Sequence, residues 1–173
     1  KKAMFSGEKA FQLFLEGNRI PILTVLTKKE NVNQVGGFSE KINIQNAEDY
    51  HLWLKMLMSN AVFYSSDIVM AKYRLHNNSV TAKDNFATIK ILDVFLDLLH
   101  FSPKHKKQLK GGMKLKFKTF YKSNLFTKAE LAVWIKKNID YLSQSKLNYL
   151  YLVLNFFLPT KVAKRLLMYI LNE

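Results

Sequence analysis

Apolar positions along residues 1–60 follow helical spacing in some stretches and extended spacing in others. Between residues 6 and 18 they recur every three or four positions, which predicts a helix. The run 22–29 is short, apolar and β-branched, so we expect a buried strand there. A short helix closed by a glycine pair is expected over 30–38, and a longer helix over 47–59.

Beyond residue 60 the pattern predicts two strands and then only helices. Residues 61–66 and 68–76 are rich in aromatic and β-branched side chains, which is typical of strands. After Thr81 the spacing becomes helical. Residues 89–99 are apolar on two sides, as expected of the core helix of a bundle.

This change of spacing divides the chain into two parts. We expect an α+β, mostly helical fold, with an α/β part over 1–81 and an all-helical basic tail over 82–173. Residues 113–122 fit either a strand or a helix, and their helical neighbours favour a helix, with a break at Gly111-Gly112. Further helices are expected after a capping box and on both sides of a proline, at Thr127–Glu130 and at Pro159.

The composition adds a strong positive charge to this picture. At 49% hydrophobic residues the chain can bury a core, and without cysteine it has no disulfide framework and no thiolate metal site. The net charge is +14. Residues 1–81 hold 10 basic and 7 acidic residues, giving +3, whereas residues 82–173 hold 17 and 6, giving +11. A basic surface favours anionic partners.

The apolar runs of the sequence also indicate where in the cell the protein is expected. No apolar stretch follows the lysines at the start of the sequence, so we expect no signal peptide. The longest apolar run, 147–158, is shorter than the roughly 20 residues that span a bilayer. We therefore expect a cytoplasmic protein, with peripheral attachment to the inner face of the cell membrane as the further option.

Two adjacent carboxylates, Glu48 and Asp49, open the helix over 47–59. On a helical wheel Glu48 shares a polar stripe with His51 and Lys55, which we expect to face water, whereas Asp49 points along the apolar side. Both acids can simply complement the positive end of the helix dipole. Alternatively, Asp49 is a general base, which requires a carboxylate held at a cleft within reach of a hydroxyl proton.

The sequence around Glu48 and Asp49 resembles that of a known enzyme family. The segments "ILTVLTKK", "GGFSE", "EDYHLWLK" and "YRLHNNS" occur in this order within residues 8–81. The series is similar to the second half of a family 2 glycosyltransferase catalytic domain, which has the GT-A fold and transfers sugars with inversion. The resemblance implies that 1–81 is the acceptor-side, C-terminal half of such a domain, working in polysaccharide or glycolipid synthesis.

The resemblance also implies roles for individual residues. Asp49 is the catalytic base, and the substrate-binding set is Glu48, Gly36, Gly37, Phe38, Trp53 and Arg74. His76 lies near the diphosphate or its divalent ion, as a metal ligand. Several of these roles have a structural alternative. The glycines can be a helix stop, Trp53 can belong to the core, and Arg74 and His76 can be an exposed strand end. Lys55 stands where the family often has arginine.

The donor side of such an enzyme is not recognisable in this sequence. There is no Asp-x-Asp motif and no glycine-rich phosphate loop, and the sequence does not begin with Met. We therefore expect a C-terminal fragment that is inactive by itself. In the full-length enzyme we expect a nucleotide-sugar donor, a glycan or lipid-linked acceptor, and a divalent metal, Mg or Mn; the fragment is expected to bind no cofactor.

The basic tail leaves several options open. It can pack on the catalytic part, form a homodimer, or lie on an anionic membrane through its lysines and aromatic residues. We expect no nucleic-acid binding, because no binding motif is present and the aromatic residues lie on apolar faces. The competing function is a non-catalytic basic helical module that binds a membrane or a protein partner.

Overall fold

The computed structural model describes residues 2–74, 87–123 and 133–134. These residues are mostly helical, with a small two-stranded antiparallel sheet, so the chain belongs to the α+β class. The elements are β1 (Ala3–Phe5), α1 (Gly7–Leu15), α2 (Lys29–Gln34), α3 (Glu48–Met58), β2 (Phe63–Ser65), α4 (Ala87–Phe101) and α5 (Lys106–Ser123). Short 3-10 turns occur at Ile22–Thr24, Ile42–Ile44 and Pro103–His105.

The chain forms two compact units, Lys1–Met113 and Lys114–Glu173. The first unit includes α4 and the beginning of α5, which the sequence analysis assigned to the helical tail. Everything described below concerns this first unit. Within the described residues, no helix combines the length and the apolar character that a membrane crossing requires.

Helix α3 is the centre of the first unit and is buried on nearly every side. Its apolar residues contact α1 on one side and α4 on the other. The Tyr50 hydroxyl donates a hydrogen bond to the carbonyl of Phe14 at 2.5 Å, and the Tyr50 ring lies 6.1 Å from that of Phe95. One tyrosine therefore joins three helices, which fixes the orientation of α3.

The small sheet is stabilised by aromatic packing on the helices. β1 pairs antiparallel with β2, with Phe5 opposite Phe63. The Phe63 ring stacks on Phe14 at 5.9 Å and meets Trp53 edge-on at 6.3 Å. Because an isolated pair of strands is marginally stable in water, these contacts are what keep the sheet in place.

Most of the predicted helices are confirmed. α1 and α3 lie within the ranges expected from apolar spacing, α2 begins one residue before its predicted range of 30–38, and α4 covers the predicted core helix. The predicted strand over 61–66 is confirmed in its central residues as β2. β1 was not predicted.

Two predicted strands are wrong over the residues that the structure describes. The run 22–29 begins as a 3-10 turn and then exposes its apolar residues, with Leu26 at 96% exposure. Residues 68–74 also form no strand. The physical reason is the same in both cases: an apolar, β-branched run becomes a strand only beside a partner, and the described residues supply none for these two segments.

The predicted break at Gly111-Gly112 is also wrong, because α5 runs through both glycines without interruption. A Cβ added to Gly112 would lie 3.2 Å from two side-chain atoms of Leu15 and 3.4 Å from the ring of Phe95. Gly112 thus permits close helix packing rather than ending the helix. The capping box at Thr127–Glu130 and the helices around Pro159 lie outside the described residues.

Candidate functional site

The first turn of α3 holds Asp49 in a fixed orientation. Its side chain is half-buried. One carboxylate oxygen accepts a hydrogen bond from the amide of Tyr50 at 2.6 Å, and the other accepts one from the Asn18 side-chain amide at 3.0 Å. The Asn18 oxygen in turn accepts the amide of Ile20 at 3.1 Å, which fixes the loop that follows α1. Asn18 therefore orients Asp49 across 31 residues of sequence.

Asp49 begins the face of α3 that continues into a large cavity, although Asp49 itself is not among the residues that line it. Trp53 and Met56 follow it at helical spacing on that face, and both line a cavity of about 1040 Å³. The wall of this cavity combines cations with aromatic and aliphatic side chains, including Arg19, Lys28, Trp53, Met56, Phe63 and Tyr64. A mixed apolar and polar cavity of this size has the general form of a small-molecule site.

Trp53 is built into the core. Its side chain is 1% exposed, and its indole N–H donates a hydrogen bond to the carbonyl of Ile20 at 3.3 Å. The ring supports the wall of the cavity, and its position agrees with the core alternative weighed against a sugar-stacking platform.

The polar stripe of α3 does not face water, contrary to the sequence-based expectation. His51 is 3% exposed and Lys55 is 6% exposed. The stripe is covered because α4 and the loop 36–41 pack against it. The Lys55 ammonium donates a hydrogen bond to the carbonyl of Gly37 at 2.8 Å and lies 5.8 Å from the centre of the Phe101 ring.

Asp97 of α4 is the anion that balances this stripe. One of its oxygens lies 2.9 Å from Nε2 of His51, and the other forms an ion pair with Lys41. Burial raises the pKa of Asp97, but the bonds from Lys41 and His51 outweigh burial and hold the pKa below its usual value. Asp97 is therefore the anion of the cluster.

Burial has the opposite consequence for the two basic members. It lowers the pKa of His51, and the positive charges of Lys55 and Lys41 lower it further against the attraction of Asp97. Burial also lowers the pKa of Lys55. Within the described residues, Oε2 of Glu48 and Nδ1 of His51 are buried without a hydrogen-bond partner. Glu48 thus lies on the Lys55 side of the helix and is half-buried rather than solvated.

The glycine pair of the predicted acceptor loop ends α2. Gly36 and Gly37 have φ of 76° and 68°, and their amides bond to the carbonyls of Asn33 and Val32 at 2.9 and 3.0 Å. This is the Schellman pattern, in which the left-handed residue is usually glycine. A Cβ at either position would meet nothing within 4 Å, so the backbone angle and not crowding explains the glycines. Phe38 follows them and is 46% exposed.

The predicted metal side of the site is not assembled by the described residues. Arg74 is exposed, and His76 lies outside the described residues. In the part of the chain that the structure describes, no three histidine, aspartate or glutamate side chains are grouped so as to hold a metal ion. The metal role of His76 therefore stays a prediction.

The structure thus separates the predicted site residues into two groups on α3. Asp49 is bonded to Asn18, whereas Glu48 belongs to the neighbouring stripe, whose Lys55 bonds to the loop that carries Gly37 and Phe38. Sequence reasoning missed Asn18, Lys41 and Asp97. Asp97 gave a usable signal, because a carboxylate at a core position of an apolar helix needs a buried cation; Asn18 gave none.

Comparison with family models, with curated protein sequences and with solved structures yields no match for this chain.

Proposed function

We propose that the first unit is the acceptor side of an inverting glycosyltransferase, in which Asp49 is the general base. The observation that supports the proposal is the carboxylate of Asp49, which Asn18 holds one helical turn before Trp53, a residue of the cavity wall. The family 2 motifs over residues 8–81 support the same function. The substrates are a nucleotide-activated sugar and a hydroxyl group of a glycan or lipid-linked acceptor.

The proposed reaction balances around Asp49. The carboxylate takes the proton of the acceptor hydroxyl. At the same time, the oxygen of this hydroxyl attacks the anomeric carbon of the donor sugar from the side opposite the leaving group. A carbon–oxygen bond to the acceptor forms, the bond from the anomeric carbon to the phosphate oxygen breaks, and the nucleoside diphosphate leaves with the electron pair. Attack from the opposite side inverts the configuration of the sugar.

The hydrogen bonds of Asp49 suit this role. An ionised carboxylate offers about four acceptor positions, and the bonds from Tyr50 and Asn18 occupy one on each oxygen. The remaining positions can receive a hydroxyl proton. The two existing bonds limit rotation of the carboxylate, so little orientation has to be gained when the acceptor binds.

In this proposal, the nucleotide-sugar donor binds to a nucleotide-binding half that lies outside the described residues. Large apolar side chains are exposed along two segments that line the cavity; Leu26, Ile68, Val69 and Met70 are 96%, 69%, 89% and 76% exposed. Contiguous exposed apolar surface of this kind marks an interaction site. We propose that the nucleotide-binding half covers it and brings the divalent metal.

The test is a transfer assay with the complete natural polypeptide that carries this chain. Nucleotide-sugars are supplied together with candidate glycan and lipid-linked acceptors, release of nucleoside diphosphate is followed, and the anomeric configuration of the product is determined by NMR. Transfer with inversion is expected. A retained configuration, or no transfer from any nucleotide-sugar, would overturn the proposal.

A further inference from the structure

The loop 36–41 is held by ionic side chains at both ends although its middle has little packing. Gly36 and Gly37 have open space where a Cβ would lie, and Phe38 is half-exposed. Beyond the loop, Ile44 is fully buried. Besides the two backbone hydrogen bonds that end α2 at Gly36 and Gly37, the loop is therefore fixed by a small number of polar side-chain contacts.

The first contact is the hydrogen bond from Lys55 to the carbonyl of Gly37. A lysine that is 6% exposed is unusual, because burying an ammonium is unfavourable unless it is bonded. In the described residues, the bond to Gly37, the ring of Phe101 and the negative charge of Asp97 compensate for this burial. The position of Lys55 is thus coupled to the backbone of the loop.

The second contact is the ion pair of Lys41 with Asp97 at the other end of the loop. His51 holds Asp97 from the side of α3, so the carboxylate joins the loop to two helices. Lys55 and His51 are one turn apart on the same stripe of α3. The same face of α3 therefore holds both ends of the loop, directly through Lys55 and indirectly through His51 and Asp97.

We propose that Lys55 and Asp97 are positioning residues that clamp the loop 36–41 at both ends and present the Phe38 ring to the acceptor. The clamp itself stands on the contacts above, whereas its use in acceptor recognition rests on the proposed function. An exposed aromatic ring on a fixed backbone suits the apolar face of a sugar, because little conformational entropy is lost on contact. Because the polar stripe of α3 is buried against the loop, it can hold the loop in place, which a stripe that faced water could not do.

The clamp is tested by amide hydrogen exchange of the 173-residue chain, read by mass spectrometry over 36–41. Lys55→Met is expected to raise exchange in this loop by about tenfold, the scale of a lost charge-assisted hydrogen bond. Lys55→Arg keeps a donor and is expected to restore most of the protection. Lys9→Met, on the exposed side of α1, removes the same charge and is expected to leave the loop unchanged.

Asp97→Asn tests the other end of the loop independently of Lys55. Increased exchange at 36–41 with normal protection of α1 supports the clamp. Unchanged exchange in both Lys55→Met and Asp97→Asn overturns it, and so does an equal rise throughout the chain, because that reports general destabilisation. These readouts need no transferase activity, so failure of the clamp and failure of the proposed function are distinguishable.

The acceptor role has its own readout in the complete polypeptide. If the clamp presents Phe38 to the acceptor, Lys55→Met raises the KM for the acceptor while kcat changes little, and Lys55→Arg recovers the KM. An unchanged acceptor KM in Lys55→Met, in an enzyme that transfers sugar, overturns the acceptor role and leaves the proposed function standing.

Discussion

Asp49 is the residue on which the catalytic proposal depends, and its replacement gives a direct test. We expect Asp49→Asn to lower turnover of the complete polypeptide by about 10²–10⁴-fold, the usual contribution of a general base. Asparagine keeps the size of the side chain and can still bond to the Tyr50 amide, so the melting temperature should change little. Steady-state turnover and thermal unfolding of the same preparations provide the measurement.

Two further variants sharpen this test. Asn18→Ala removes the bond that orients Asp49 and is expected to lower turnover less than Asp49→Asn does. Glu16→Gln is the matched control, since Glu16 is an exposed carboxylate paired with Arg19 at the surface. A well-folded Asp49→Asn protein with normal turnover would leave both acids as complements of the helix dipole.

His51 predicts a pH dependence of stability. Because the pKa of His51 is lowered in the folded protein, the unfolded chain binds more protons as the pH falls. The stability associated with the neutral ring is present above the usual value of 6.5 and is lost as the pH falls through 6.5 towards the lowered pKa. We expect His51→Gln to reduce this loss.

The measurement is urea unfolding of both proteins at pH values on either side of 6.5. His105 also has a pKa lowered by burial, so His105→Gln should reduce the slope independently and the double variant should reduce it most. The groups around His51 are Asp97, Lys41, Lys55 and Glu48. An unchanged slope in His51→Gln would mean that the ring binds protons equally in the folded and unfolded states, so that folding does not lower its pKa.

The residue scale also shows what the sequence could reveal of the site. The position of Asp49 at the start of a helix and on its apolar side follows from spacing alone. The burial of Lys55 does not, because a stripe of three polar residues looks the same whether it faces water or a carboxylate. Only the approach of α4, 46 residues further along the chain, decides between the two.

At the level of elements, the glycine pair of α5 provides a matched comparison. A Cβ at Gly111 would meet nothing within 4 Å, so Gly111→Ala is expected to stabilise the protein by about 0.5–1 kcal/mol through reduced backbone entropy. At Gly112 the same change places a methyl group 3.2 Å from the buried Leu15 side chain. Overpacking of this kind typically costs about 1–3 kcal/mol, so Gly112→Ala should be destabilising.

Equilibrium unfolding of the two single variants measures both effects. Stabilisation by both alanines would show that α5 does not pack closely on α1 at Gly112. Destabilisation by both would instead favour the helix break that the sequence suggested at this pair.

The same elements show why helices were predicted better than strands. The spacing that identifies α1 or α3 is contained within about three turns, so local sequence is sufficient. A strand needs a partner, and β1 finds its partner 62 residues away, where Ala3 pairs with Ser65. The run 22–29 shows the converse, since strand-like composition without a neighbouring strand produced an exposed segment.

At the scale of the whole molecule, the exposed apolar residues and most of the positive charge belong to different stretches of the sequence. The exposed apolar residues of the first unit cluster along 22–26 and 62–73, beside the cavity. Most of the positive charge belongs to residues 82–173, which carry +11 of the total +14. Because these stretches of sequence differ in character, we expect different partners for them, a polypeptide for the apolar segments and an anionic surface for the basic residues.

The last prediction concerns that anionic surface. We expect the chain to co-sediment with vesicles that contain anionic phospholipid and not with neutral vesicles, because each lysine near an anionic membrane contributes about 1 kcal/mol. Raising the ionic strength from about 0.1 M to about 1 M shortens the Debye length from about 10 Å to about 3 Å, so binding should be lost. Equal sedimentation with neutral and anionic vesicles at low salt would contradict the prediction.

A pair of triple variants locates the binding surface while keeping the net charge equal. One replaces three exposed lysines of α5 by glutamine, at Lys106, Lys107 and Lys110. The other replaces three exposed lysines of the first 30 residues, at Lys9, Lys28 and Lys29. If the basic half binds the membrane, the α5 variant should lose more vesicle binding than its control. Equal losses would show that total charge, and no particular surface of the chain, drives the association.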